Sequence, residues 1–142
     1  MTIHTLIKDI YDVVGKQVSE EFQQRLSEGI AKRLAPQLRR QEDKGGMRLS
    51  KMGPTCPRAY WYSVHRPDLA EAPPPWAKIK FTYGHILEAL AIELAKEAGY
   101  DVVGEQDELE LLGVKGHRDC IIGGCTVDIK SCSGRVFDKF KI

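Results

Sequence analysis

The sequence predicts an α+β fold, with long helices in its first two thirds and short strands in its last third. Apolar residues recur at helical spacing between residues 6 and 38 and again between residues 77 and 99. From residue 100 to residue 130, apolar and polar residues instead alternate, which is typical of half-buried strands. Gly123-Gly124 separates two of these runs and predicts a hairpin turn, because glycine accepts the positive φ angles that such turns need. The 142 residues are enough for one small domain with a hydrophobic core.

The N-terminal region, residues 1–44, is predicted to be helical. A first apolar stripe ends near Gly15, and a long amphipathic helix follows over roughly residues 16–40. This helix either binds a partner or a second copy of the chain, or it packs on the rest of the domain, which is the simpler interpretation. The basic pairs Lys32-Arg33 and Arg39-Arg40 could contact phosphate, although a solvated helix face explains them as well.

Residues 45–76 are predicted to form a linker followed by a Cys-Pro-Arg segment. The polar, glycine-containing stretch 41–47 breaks the first helical region, and Pro73-Pro74-Pro75 predicts a rigid exposed connector. Between them, Arg58 alternates with the aromatic rings of Tyr60, Trp61 and Tyr62. Such a mixture can stack on unpaired bases and hold phosphate, or it can form a short helix whose rings are anchored in the core.

The third region, residues 77–142, begins with a predicted helix over residues 77–99 that ends at a glycine. Glu88 and His85 lie at the edge of its apolar face, so each is either an ordinary boundary residue or a group aimed at a site. A first strand with a bulge at Gly104 is predicted across residues 100–113. Two further strands are predicted over residues 118–122 and 126–130, and a loop leading into a helix follows.

The two strands around the glycine pair bring charged side chains together. Side chains alternate along a strand, so Asp128 and Lys130 share one face, and Asp119 can join them from the neighbouring strand. Carboxylates are preferred ligands of Mg²⁺, and a lysine beside them can orient a water or stabilise a phosphorane-like transition state. The constellation suits metal-assisted hydrolysis of a phosphodiester. The alternative is an exposed polar face with an ordinary Asp–Lys pair.

Composition narrows the classes of function. The net charge is +1, so nucleic acid could be bound only through local basic patches. No apolar run approaches a membrane span, and the N-terminus does not resemble a signal peptide, so the cytoplasm is expected. The four cysteines form no Cys-x-x-Cys pair and are expected to be reduced thiols, although a zinc or iron–sulfur site remains an alternative. They are Cys56, Cys120, Cys125 and Cys132.

Taken in order, these features resemble the PD-(D/E)XK nuclease superfamily, and most closely its phage and RecB-type exonucleases, such as the lambda exonuclease and the CRISPR-associated adaptation nucleases. The resemblance covers about residues 49–142. It implies a restriction-endonuclease-like αβββ core, in which Glu88 and Asp119 bind metal. Asp128 would be the third carboxylate ligand and Lys130 the catalytic lysine. The resemblance also implies metal contacts from the Ile129 carbonyl and His85, and DNA contacts from Arg58, Tyr62 and Ser131.

The resemblance carries expectations about cofactor, completeness and partners. The cofactor would be Mg²⁺ or Mn²⁺, and no iron–sulfur cluster is expected, because Cys120, Cys125 and Cys132 do not match the cluster positions. The family's second helix and last strand would be missing or incomplete in this chain, so an oligomer or a completing chain could be needed. The expected activity is that of a deoxyribonuclease, an exonuclease of phage-type replication or recombination in a bacterial or phage-infected cytoplasm. The alternatives are a truncated, non-catalytic module that binds DNA or a protein partner, and a thiolate–metal module.

Overall fold

A computed structural model describes residues 2–38, 46–53, 56–132 and 134–138. Helices and strands are both present, so the predicted α+β class is confirmed. Short 3₁₀ turns precede the first helix and flank the third. The helices are α1 (Leu6–Val14), α2 (Glu20–Leu38), α3 (Pro57–His65), α4 (Pro75–Glu97) and α5 (Gly134–Phe137), and the strands are β1 (Val102–Val103), β2 (Glu108–Leu111), β3 (Val114–His117), β4 (Cys120–Ile122) and β5 (Cys125–Val127).

The N-terminal helices follow the predicted pattern. Helix α1 ends at Gly15, and the Ser19 hydroxyl caps α2 by accepting a hydrogen bond of 3.0 Å from the Phe22 N–H. Helix α2 therefore begins four residues later than the predicted residue 16. Arg39-Arg40 and most of the predicted linker 41–47 lie outside the described residues.

Helix α4 is the longest element described and carries the predicted apolar face. It begins at Pro75, the last residue of the predicted proline connector, because proline is well tolerated in the first turn. Gly99, with φ of 86°, ends it, and the Tyr100 N–H closes the turn by donating 3.0 Å to the Ala95 carbonyl. The predicted helix 77–99 is thus confirmed to within two residues at each end.

Helices α2 and α4 pack together in antiparallel fashion, and charged side chains join them. Arg25 donates to Glu93 at 3.1 Å and to Glu97 at 2.7 Å, and Arg33 lies 3.4 Å from Glu88. Later residues of α2 therefore meet earlier residues of α4. Packing within the chain is confirmed for α2. Glu93 lies in this interface and not on the solvent face of α4, because it is 4% exposed and held by Arg25.

The hydrophobic core lies between α4 and a three-stranded sheet. Tyr100 follows α4 into this core, and its hydroxyl donates 2.6 Å to Asp9 Oδ2 of α1. The aromatic ring is therefore buried while its polar end ties the N-terminal helix to the sheet. The buried residues of this cluster are Ile92, Ala95, Tyr100, Cys120 and Ile122, with Ile3, Leu6, Ile10, Ala98, Val102, Val127 and Ile129 packed against them.

The strands form two antiparallel sheets, of order β1–β4–β5 and β2–β3. This corrects the prediction of one bulged strand across residues 100–113. Gly104 and Gln106 have φ of 65° and 56°, so the chain turns between β1 and β2 and the two strands enter different sheets. Strands β2 and β3 form a hairpin that lies between β1 and β4 in the chain.

The predicted hairpin around the glycine pair is confirmed as β4–β5. Gly123 and Gly124 have φ of 55° and 81°, the combination of a type I′ turn. The predicted second strand is too long, however, because β5 ends at Val127 and residues 128–130 follow it without strand pairing. The alternation persists beyond the strand, since Val127 and Ile129 pack on the core while Asp128 and Lys130 are exposed.

Helix α3 shows how the aromatic segment is arranged. The short helix is confirmed, but the prediction that Trp61 anchors it in the core is wrong. Trp61 is 51% exposed, and its ring stacks on the His65 ring with 4.7 Å between the ring centres. Tyr60 is partly buried. None of the helices in the described part of the chain is long and apolar enough to cross a membrane.

Candidate active site

Three elements position the four charged residues that the sequence singles out. Glu88 lies in the middle of α4, Asp119 immediately precedes β4, and Asp128 and Lys130 follow β5. Because β4 and β5 are paired from Cys120 to Val127, the residues just outside that pair are also neighbours. The hairpin register therefore places Asp119 beside Asp128 and its successors, as the sequence predicts.

Glu88 is a buried carboxylate with several partners. Its side chain is 8% exposed, and Arg33 Nε of α2 lies 3.4 Å from Oε1. Gln106 Nε2, from the turn after β1, also donates to Oε1. His85 Nδ1 lies 3.6 Å from Oε2, one helical turn earlier on α4. Glu88 thus points inward, and its negative charge is compensated within the described structure.

Asp119 connects the start of β4 to the chain beyond β5. Its Oδ2 accepts a hydrogen bond of 2.7 Å from the Ile129 N–H. Burial raises the pKa of Asp119, and the negative charges of Glu88 and Asp128 raise it further, while the Ile129 N–H and the Lys130 ammonium act in the opposite direction. A positive charge placed near Asp119 would therefore stabilise its ionised form.

Asp128 and Lys130 form an exposed pair. Lys130 Nζ lies 2.6 Å from Asp128 Oδ1, and the two side chains are 74% and 64% exposed. The hydrogen bond to Asp128 raises the pKa of Lys130, and the charges of Asp128, Asp119 and Glu88 raise it further. The ammonium is therefore charged at neutral pH, and it lies within electrostatic range of all three carboxylates.

The donor set suits a hard divalent cation in its chemistry, since three carboxylates and backbone carbonyls are oxygen ligands. The negative charges of Glu88 and Asp128 around Asp119 would also favour a bound cation. Among the described residues, however, no three His, Cys, Asp or Glu side chains are grouped closely enough to hold one ion. Each carboxylate is instead engaged by Arg33 and Gln106, by the Ile129 N–H, or by Lys130. Binding of a cation would require the contacts of Glu88 and Asp128 to rearrange, whereas the Ile129 N–H engages only Oδ2 of Asp119.

A pocket of about 270 Å³ opens beside Glu88. It lies between the C-terminal half of α2, helix α4 and the turn after β1. Its polar lining is mainly basic, but Glu105 also contributes a carboxylate. The lining residues are Lys32, Arg33, Pro36, His85, Glu105, Gln106 and His117.

The remaining predicted site residues are less closely tied to this cluster. Arg58 and Tyr62 lie on α3, where the guanidinium sits 5.9 Å from the centre of the Tyr62 ring. Ser131 is exposed directly after Lys130. No hydrogen bond or ion pair described here joins Arg58 or Tyr62 to the carboxylates.

The four cysteines are not predicted members of this site, and they lie in different environments. Burial raises the pKa of the Cys120 thiol to about 11, so this cysteine is an apolar core residue. Cys56 is exposed before α3, where the N–H groups of Ala59 and Arg58 lower the pKa of its thiol. Cys125 and Cys132 are also exposed, and all four are free thiols.

Sequence reasoning missed the residues that surround Glu88. Arg33 was expected on a solvated face, but its side chain is 8% exposed and also pairs with Glu105 at 3.0 Å. Gln106 was not singled out. One signal was present in the sequence, since Arg25 and Arg33 on α2 are matched by acidic residues spaced along α4.

Comparison with known proteins adds no relative to this description. No protein-family model, curated protein or solved structure matches the chain.

Proposed function

We propose that this chain is a Mg²⁺- or Mn²⁺-dependent DNA nuclease, with an exonuclease as the favoured type. The observation that carries the proposal is the hydrogen bond of 2.7 Å from the Ile129 N–H to Asp119. It fixes an acidic residue beside the Asp128-Ile129-Lys130 segment, and the charge of Glu88 on α4 acts on both Asp119 and Lys130. Two carboxylates and a lysine on such a hairpin, with a third carboxylate from a helix, are the groups that metal-assisted phosphodiester hydrolysis needs.

The order of elements supports the same proposal. Helix α4 is followed by β1, β4 and β5, which form one antiparallel sheet, and β2–β3 is an insertion within that series. This series supports the αβββ core that the PD-(D/E)XK resemblance implies. In that arrangement the helix carboxylate is Glu88, and the hairpin groups are Asp119, Asp128 and Lys130.

Each residue has a proposed role that follows from its surroundings. Glu88, Asp119 and Asp128 would hold the cation, with the Ile129 carbonyl and His85 as further ligands, and a bound cation would lower the pKa of a water and neutralise phosphate charge. Lys130 keeps its proton at neutral pH, so it would orient the attacking water or stabilise charge on the phosphate. Arg58, Tyr62 and Ser131 would contact DNA.

The test is cleavage of end-labelled linear DNA and of closed circular DNA by the 142-residue chain with Mn²⁺. Asp119→Asn and Lys130→Met should each abolish cleavage, because each removes one charge from the proposed site. Asp12→Asn, an exposed carboxylate on α1, is the matched control and should retain the wild-type rate. Loss of linear DNA alone indicates an exonuclease, whereas cutting of the circle indicates an endonuclease. Equal cleavage by wild type and both site variants would refute the proposal.

A second candidate is a non-catalytic nuclease-like module that binds DNA or a protein partner. The observation that favours it is that Glu88 already accepts hydrogen bonds from Arg33 and Gln106. A folded chain that binds DNA but cleaves neither substrate, and whose DNA affinity changes in the carboxylate variants, would support this candidate.

A further inference from the structure

The first half of α4 projects large apolar side chains into solvent. Trp76 is 68% exposed, Ile79 71% and Tyr83 58%, although they belong to the same helix whose second half forms the core. Phe81 is 55% exposed as well. Within the described parts of the chain, only Ala77 is buried in this half of the helix. The rings are therefore available for an interaction that the described fold does not use.

These side chains share a face. Trp76, Ile79 and Tyr83 are three and four residues apart, so they form a stripe along one side of the helix. The two rings are separated by about 10 Å along the axis, since each helical residue rises about 1.5 Å. A flexible chain of flat groups could stack on both rings at once.

Of the residue types Lys, Arg, Asp and Glu, only Lys occurs along this half of α4, so the charge there is positive. Lys80 follows Trp76 by four residues and precedes Tyr83 by three, so it lies between them on the helix surface, and Lys78 neighbours Phe81 in the same way. Both lysines are exposed, and neither forms an ion pair with any residue that the structure describes. No Asp or Glu occurs from residue 72 to residue 87. The net charge of the whole chain is only +1, so this local excess of positive charge is a distinct feature.

We infer that the face formed by Trp76, Ile79, Lys80 and Tyr83, with Lys78 and Phe81 beside it, binds single-stranded nucleic acid. Unpaired bases stack on exposed aromatic rings, and lysines between the rings neutralise the backbone phosphates. A protein partner would be matched better by an apolar stripe without an unpaired cation inside it. A duplex would present no free base faces to the rings.

The stacking face is close to Glu88 along the helix axis but points to another side of α4. Tyr83 precedes Glu88 by five residues, which is about 7.5 Å along the axis and about 140° around it. Delivery of a single strand to that cluster rests on the proposed nuclease function, whereas binding of the strand by this face does not. The two can therefore be tested separately.

The experiment measures fluorescence anisotropy of labelled oligothymidylate with the full chain in EDTA, where metal-dependent cleavage cannot occur. Trp76→Ala and Tyr83→Ala should each weaken binding about tenfold, as expected for loss of one stacking platform. Tyr11→Ala is the matched control, because Tyr11 is a 71% exposed ring on α1, and it should bind as wild type. Lys78→Gln with Lys80→Gln should reduce the salt dependence of log K by about 1.4, the slope for two single-strand phosphates.

A direct readout is available because the chain has two tryptophans, Trp61 and Trp76. In a Trp61→Phe background, oligothymidylate should quench the fluorescence of Trp76, and duplex DNA should compete poorly. Wild-type affinity in Trp76→Ala and Tyr83→Ala would overturn the inference. So would concentration-dependent self-association, or adsorption to anionic lipid vesicles, that Trp76→Ala abolishes while oligothymidylate binding is absent. A chain that binds the oligonucleotide through this face but never cleaves DNA would uphold the inference and reject the nuclease.

Discussion

Ionisation of Asp119 is required for the proposed metal site, but it lowers the stability of the folded chain. Burial raises its pKa above the ordinary 3.8, and Glu88 and Asp128 raise it further. The folded chain then binds more protons than the unfolded chain between pH 3.8 and the raised pKa, so stability falls as pH rises through that window. At neutral pH the ionised carboxylate therefore lowers the free energy of unfolding.

Asp119→Asn should accordingly leave the free energy of unfolding at pH 7 equal to or higher than that of wild type. The amide oxygen can still accept from the Ile129 N–H, and the charge near Glu88 and Asp128 is gone. Urea unfolding followed by circular dichroism at several pH values would measure the difference, which should disappear well below pH 3.8. A less stable variant at pH 7 would show that the carboxylate has a structural role instead.

The sequence allowed Asp119 to be placed beside the residues that follow β5, but it did not reveal the partners of Glu88. Asp128 and Lys130 follow from alternation along a strand, and Asp119 from its place before the glycine turn. Arg33 could not be placed, because a boundary arginine on an amphipathic helix looks the same whether it faces water or a buried carboxylate. Its burial depends on how α2 crosses α4, which is a tertiary property.

The β4–β5 hairpin is the element that holds Asp119 beside the residues after β5. Its turn has positive φ at both glycines, and open space surrounds both positions. Backbone conformation, and not steric crowding, therefore determines which side chains can replace each glycine.

Gly124→Ala should destabilise the chain by about 1–2 kcal/mol, because alanine is strained at positive φ. Gly123→Asn is the matched control and should be neutral, since asparagine tolerates this conformation and Asn-Gly is a favoured type I′ pair. Thermal and urea denaturation of both variants would measure the effect. Equal destabilisation by the two substitutions would contradict the assigned turn.

Among the elements, those with a strong local signal were predicted correctly. A glycine marked the end of α4, and two glycines marked the β4–β5 turn. The division of residues 100–113 was missed, because a Gly-Glu-Gln turn between short apolar runs resembles a bulge in sequence. Only the pairing of β1 with β4 separates the two cases.

Across the whole molecule, a network of charges joins α2 to α4 and to the turn after β1. Arg33 bridges Glu88 and Glu105, and Lys96 bridges Glu105 and Glu93 at 2.6 Å and 2.7 Å. Burial alone would raise the pKa of Glu105, but the hydrogen bonds from Lys96 and Arg33 outweigh it and lower that pKa. The contribution of Glu105 to stability is therefore present above pH 4.5 and is lost as the pH falls through its lowered pKa.

Arg33→Met should destabilise the chain by about 3 kcal/mol, the magnitude typical of removing one partner from a buried ion pair. Glu88 would lose its nearest cation inside a largely buried site. Lys32→Met, at the adjacent exposed position, is the control and should change stability by less than about 0.5 kcal/mol. If urea denaturation showed the two variants to be equally stable, α2 would not be held to α4 through Arg33.

Mn²⁺ binding, measured by electron paramagnetic resonance after Mn²⁺ is added to the metal-free chain, tests the proposed metal site. We expect one tightly held Mn²⁺ per chain that is lost in Asp119→Asn and retained in Asp12→Asn. Lys130→Met should also retain the ion, because the ammonium is assigned to chemistry and not to ligation. No bound Mn²⁺ in wild type, or equal binding in wild type and Asp119→Asn, would contradict the proposed metal site.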